Sequence, residues 1–197
     1  MTLSFQLPLT AILHRMLQNT IGCLHKARDH AQQHGMDETE LLNARLAADM
    51  LPMQQQIEIV TTAVRGTLTR LLAAGPDDAE DPDYAVFNRG VGARFDPPVS
   101  TFDELISKIT TLLDWLATLE NEHTQALQPE SITVQMHGQA RLFERQAFIM
   151  HYFLPNFYFH LSIAYGILRH YGVALGKQDY EGMPVYQTMD MTSLPRP

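Results

Sequence analysis

A single cysteine, Cys23, is all the thiol the chain carries. An internal disulfide is therefore excluded, and a reducing compartment is expected. Basic side chains are also scarce: 14 Lys and Arg against 22 Asp and Glu give a net charge of −8. Nucleic-acid binding needs a clustered basic surface, and none is visible, so nucleic acid is not an expected partner. No apolar run reaches the roughly 18 residues of a membrane span. The N-terminus lacks a basic segment leading into an apolar run and a small-residue cleavage site. A cytoplasmic protein with no membrane partner is the expectation. Missing too are a Gly-rich phosphate loop, a Gly-x-Ser-x-Gly elbow and a Cys-x-x-Cys pair, so no short motif names a reaction.

What is present is a helical pattern. With 45% apolar and 18% charged residues in 197, the chain is not disordered as a whole and can enclose one core. Leu9, Leu13, Met16, Leu17, Thr20, Cys23, Leu24, Ala27 and Ala31 recur at three- and four-residue steps, which predicts a helix over Leu9–His34 closed by Gly35. Asp37 and Glu40 resemble a capping box for a short helix ending at Leu46. Asp49 before Met50-Leu51-Pro52 marks another start, and a second long helix is expected over Met50–Ala74. Gly75–Ser100 is acidic, rich in Pro and Gly and aperiodic, a long connection whose Asp77–Asp81 run reads as solvated loop. Thr101-Phe102-Asp103-Glu104 is a capping box, and a third helix is expected over Phe102–Glu122. Ile132–Met136 and Ala140–Phe143, turning at His137-Gly138, read as a small hairpin. A fourth long helix is expected over Glu144–Tyr171, kinked at Pro155 and closed by Gly172, and Val173–Pro197 reads as an extended tail packed on the bundle or partly free. Four amphipathic helices with one hairpin define an all-α helical bundle, and the long second connection permits a crossover topology.

One polar constellation stands out. At about 100° per residue, Phe153, Asn156, Phe157, His160, Ala164, Ile167 and Tyr171 share a face of the fourth helix. On the second helix Asp49, Met53, Gln56, Val60 and Ala63 do the same. A carboxylate and a carboxamide could thus meet His160 and Asn156 across the core. Two readings are open: a hydrogen-bond network that satisfies His160, or a ligand or metal pocket built on the same groups. Arg45, with Asn43, could hold a ligand carboxylate or phosphate with its planar fork, or could pair with Asp49 four residues on. His30 and His34 have the i, i+4 spacing of a metal pair but lie at a helix C-terminus, where the dipole favours histidine. Cys23 falls on an apolar stripe and reads as a small buried hydrophobe.

The strings Leu41-Leu42-Asn43-Ala44-Arg45-Leu46-Ala47-Ala48-Asp49-Met50-Leu51-Pro52 and Leu154-Pro155-Asn156-Phe157-Tyr158-Phe159-His160, with Ala164–Val173 and Gly176–Tyr180, resemble a branch of unknown function within the DinB/YfiT-like superfamily. The similarity runs over about Phe5–Gly182. It implies one DinB-like four-helix bundle over residues 1–182, a tail over 183–197, a long crossover and a homodimer. Better-known members of the superfamily are metal-dependent enzymes, thiol-dependent transferases among them. They hold a divalent metal through one histidine on helix 2 and a His-x-x-x-His pair on the last bundle helix. His160 matches the second histidine of that pair, Asn156 stands where the first would be, and helix 2 offers Asp49, Gln56 and Glu58 but no histidine. Asn is a poor ligand for zinc or nickel, so no stoichiometric metal or other cofactor is expected, with His160, Asp49 and Asn156 as weak candidates for a divalent ion. The resulting expectation is a small-molecule-binding or structural module, its pocket drawn from Arg45, Asp49, Gln56, Asn156, His160 and Tyr171. The alternative is a metal-dependent, thiol-transferase-like enzyme centred on His160.

Overall fold

The stripe of the first segment folds as α1, Leu9–His34, and buries Leu13, Leu17, Leu24, Ala27 and Ala31. Gly35 ends it at φ 63°, a left-handed residue where glycine carries no Cβ penalty. The structure is a computed structural model that describes residues 9–72, 87, 96–122, 130–136 and 139–184. After α1 come α2 (Glu38–Leu42), α3 (Met53–Leu71), α4 (Phe102–Glu122), the strands β1 (Ser131–Met136) and β2 (Gln139–Glu144), α5 (Arg145–Ala147), a π-helical stretch (Phe148–Phe153), α6 (Leu154–His170) and α7 (Lys177–Glu181).

In the bundle, α1 packs on α4 and α6, and α3 packs on the same two helices. The order around the bundle is therefore α1, α4, α3, α6, so the steps from α1 to α3 and from α4 to α6 cross the diagonal. Between the four helices lie fully buried side chains from each: Leu17 and Leu24, Ile57 and Val60, Phe102 and Ile109, Phe157 and Ile167. Each contributes about 1.5–3 kcal/mol by leaving water, which is what holds these amphipathic faces together. The hairpin is antiparallel, with Val134 opposite Arg141 and Ile132 opposite Phe143, and it turns Ile132 and Val134 into the core. His137 and Gly138, expected as its turn, lie outside the described residues, as does most of Gly75–Ser100.

Four expectations need correction. The short second helix stops at Leu42, where the Asn43 side chain donates to the Thr39 carbonyl and ends the turn. The second long helix begins at Met53, not Met50. Pro52 disfavours helical backbone in the residue before it, so 47–50 form a turn and Pro52 itself becomes the cap. The fourth long helix is not one kinked α-helix but widens into π-helix just before Pro155. Leu154 N reaches back five residues to the Ile149 carbonyl, which accommodates a proline that can neither donate nor sit close to the preceding turn. The segment after Gly172 packs on the bundle but is not extended throughout, because Lys177–Glu181 turns into α7 against α1.

Candidate functional site

The site is built where α3 faces α6. Gln56 is 2% exposed and stands on the inward side of α3 between Met53 and Val60, both fully buried. Across from it, His160 lies on α6 one turn beyond Asn156, and its Nδ1 is 2.7 Å from Gln56 Oε1. The other end of the amide fixes its orientation, because Gln56 Nε2 donates to the Leu51 carbonyl at 3.0 Å. A carbonyl only accepts, so the nitrogen of the amide must face Leu51 and the oxygen must face the ring. The imidazole therefore donates from Nδ1 and carries its lone pair on Nε2. Burial favours this neutral form and pushes the His160 pKa down to about 4.

Aromatic rings flank the half-buried imidazole on two sides. Phe87 stacks over it with centroids 5.7 Å apart and an interplanar angle of 5°, and Phe159 meets it edge-on at 5.3 Å. Phe87 also touches Phe153 and, edge-on, Tyr152. It holds this place with φ 55°, a left-handed backbone that non-glycine residues seldom adopt. Phe87 has no counterpart in the sequence reading. A lone aromatic in an aperiodic segment carries no signal of where its ring will go.

The other expected site residues are placed elsewhere. Asn156 turns its Nδ2 to the Tyr152 carbonyl, 2.7 Å away, and so serves the backbone ahead of Pro155 instead of the Gln56 pair. Asp49 is exposed in the turn before α3, off the helix whose spacing was to carry it inward. Arg45 is exposed and donates to the Met50 carbonyl, pairing neither with Asp49 nor with the site. Tyr171 is 41% exposed at the C-terminal cap of α6, one residue past the last inward turn. His30 and His34 lie ring against ring at 4.1 Å, with His34 Nδ1 on the His30 carbonyl. Cys23 is buried, and burial pushes its thiol up to about 11.

These positions decide how well a metal would fit. His160 Nε2 is one donor, but Gln56 is engaged at both ends, the Asn156 amide nitrogen is on Tyr152, and Asp49 is at the surface. Among the described residues no group of three His, Cys, Asp or Glu side chains could hold an ion. A closed site needs about four ligands and an open catalytic one about three, and among the described residues His160 Nε2 is not grouped with two further His, Cys, Asp or Glu ligands.

The fold is a four-helix bundle with a two-stranded hairpin ahead of α6. The crystal structure of a DinB family member protein from Shewanella denitrificans, at 1.83 Å resolution, matches it with a TM-score of 0.67 and 27% sequence identity, over 91% of this chain and 93% of that one. No curated protein matches the chain. Residues 9–181 match the family described as a domain of unknown function, DUF1993, and the chain belongs to that family. Among the described residues no helix is long and apolar enough to cross a membrane.

Proposed function

We propose that the chain is a metal-free, DinB-like module that binds a small organic molecule at the His160 level of the bundle. The observation that carries this reading is the His160–Gln56 hydrogen bond, which commits the histidine to a neutral, amide-held role under an aromatic ring. A neutral imidazole with its lone pair on Nε2, beside the rings of Phe87 and Phe159, suits an uncharged donor on a largely apolar ligand. The alternative, a metal-dependent, thiol-transferase-like enzyme centred on His160, would need further ligands beside His160 Nε2.

Two measurements test the proposal on protein purified without a His tag. Metal content by mass spectrometry is expected to be substoichiometric, and added zinc or nickel is expected to raise the melting temperature of wild type no more than that of His160→Ala. In a thermal-shift screen of small organic compounds, a hit is expected whose stabilisation, which follows from mass action, is lost in His160→Ala. Stoichiometric metal that disappears in His160→Ala would reject the proposal.

We also propose that the chain pairs as a homodimer, the commonest closed assembly. Phe159, 53% exposed, and Met150, 42% exposed, give the last long helix and the π-helical stretch before it apolar surface on the outer side. Light scattering at micromolar concentration is expected to give twice the chain mass of 22.3 kDa. A single-chain mass rejects the pairing.

A further inference from the structure

A five-residue helix has no independent stability in water, so α7 exists only because it is docked. None of its residues is buried, and its hold on α1 is mostly polar and near the surface. Lys26 Nζ pairs with Asp179 at 2.7 Å, and Asn19 Nδ2 donates to the Tyr180 carbonyl at 3.0 Å. Arg15 donates to the Glu181 carbonyl from Nε at 3.1 Å and from Nη2 at 2.8 Å. The Tyr180 hydroxyl lies 3.0 Å from Ser162 Oγ on α6, and the Tyr180 ring meets Tyr165 edge-on. The helix thus bridges α1 and α6 from outside. The chain leading to it is anchored differently: Val173 and Leu175 are buried, and Val173 N bonds the Leu168 carbonyl at 3.1 Å. A firm anchor followed by a lightly held helix is the construction of a strap.

Under the strap lies a niche of about 20 Å³, room for one water molecule, between α1 and α6. Its walls include Asn19, Thr20, Cys23, Leu161, Tyr165 and Tyr180. Cys23 is 6% exposed, and its Sγ lies 3.7 Å from the Asp179 carbonyl, so the strap lies against the thiol. Local openings cost least where few apolar contacts are made and most hydrogen bonds face water, and α7 meets both conditions. We propose that α7 is a latch that opens as a unit while the bundle stays folded, uncovering Cys23 and widening the niche into a cleft between α1 and α6.

Gly182 supplies a lever on this latch. It sits just past α7 at φ 80°, and a Cβ there would come within 2.5 Å of Asn19 Oδ1, on the side chain that holds the Tyr180 carbonyl. Gly182→Ala must therefore turn the Asn19 side chain away from the Tyr180 carbonyl or shift the strap, loosening its hold either way, and Lys26→Ala removes its ion pair without adding bulk.

Because Cys23 is the sole cysteine, the rate of reaction of the full-length chain with a disulfide reagent such as 5,5′-dithiobis(2-nitrobenzoate) reports this opening alone. In wild type, labelling is expected to be slow and nearly independent of urea well below the unfolding midpoint. In Gly182→Ala it is expected to accelerate about tenfold, with a smaller rise in Lys26→Ala, while the urea midpoint moves little. Amide exchange over 177–182 is expected to be faster than over the middle of α1. The latch is overturned by labelling that follows global unfolding in its urea dependence, by a Gly182→Ala rate equal to that of wild type, or by strap amides exchanging no faster than those of α1.

Discussion

Phe153→Ala is expected to cost about 3–5 kcal/mol of folding stability, the range for a large aromatic removed from a core that cannot close over the gap. Phe153 is fully buried, and its ring lies 5.6 Å from Phe87, 6.5 Å from Phe148 and 5.9 Å from Phe157. Aromatic pairs of this kind each add about 0.5–1.5 kcal/mol beyond the area they bury. Collapse onto the vacancy is hindered because Phe153 closes the π-helical stretch, two residues before Pro155, where the backbone is already committed to an unusual path. Phe153→Leu keeps most of the volume and is expected to lose about 1–2 kcal/mol. Urea denaturation of the three proteins is the measurement. An alanine variant within about 1 kcal/mol of wild type would show that the aromatic cluster is not a core element.

The second large effect is a pH dependence specific to His160. Its pKa is near 6.5 in the unfolded chain and pushed down to about 4 in the fold by burial. Above about pH 6.5 the ring is neutral in both states, and its contribution to stability is fully present. As pH falls, the unfolded chain takes up the proton first, so stability is lost progressively until the folded ring titrates near pH 4. One pKa unit corresponds to about 1.4 kcal/mol, and partial contact of the ring with water reduces the full shift to a loss of about 1–2 kcal/mol. His160→Gln keeps a donor for Gln56 but cannot titrate. Urea unfolding at pH 7.5 and 4.5 is therefore expected to show wild type losing about 1–2 kcal/mol more than the variant. Equal losses would mean that His160 is solvated as a surface histidine is.

The same histidine shows how far residue pattern reaches. Its inward placement, like that of Gln56, follows from helical spacing: both residues fall on faces otherwise filled with apolar groups, and they meet because α3 and α6 are neighbours. Asp49 was assigned to that face by the same spacing and fails because the rule holds only where the backbone is helical. Pro52 moves the start of α3 past Asp49, so a carboxylate expected in the core stays in a solvated turn. Asn156 fails differently. It lies on the right helix and close to the right face, but an asparagine can satisfy a neighbouring carbonyl, and next to Pro155 that local partner is nearer than any across the core.

Local chemistry therefore determined the long helices, the hairpin, the stop at Gly35 and the choice of His160 and Gln56, because periodicity, capping and turn formation act over a few residues. Which helices became neighbours, where the diagonal steps fell, that Phe87 stacks on the imidazole and that α7 folds back over Cys23 were decided by tertiary structure. Those contacts join residues tens to more than a hundred positions apart. Their free energy comes from surfaces that exist only once the bundle has formed, and nothing in the spacing of neighbouring residues records it.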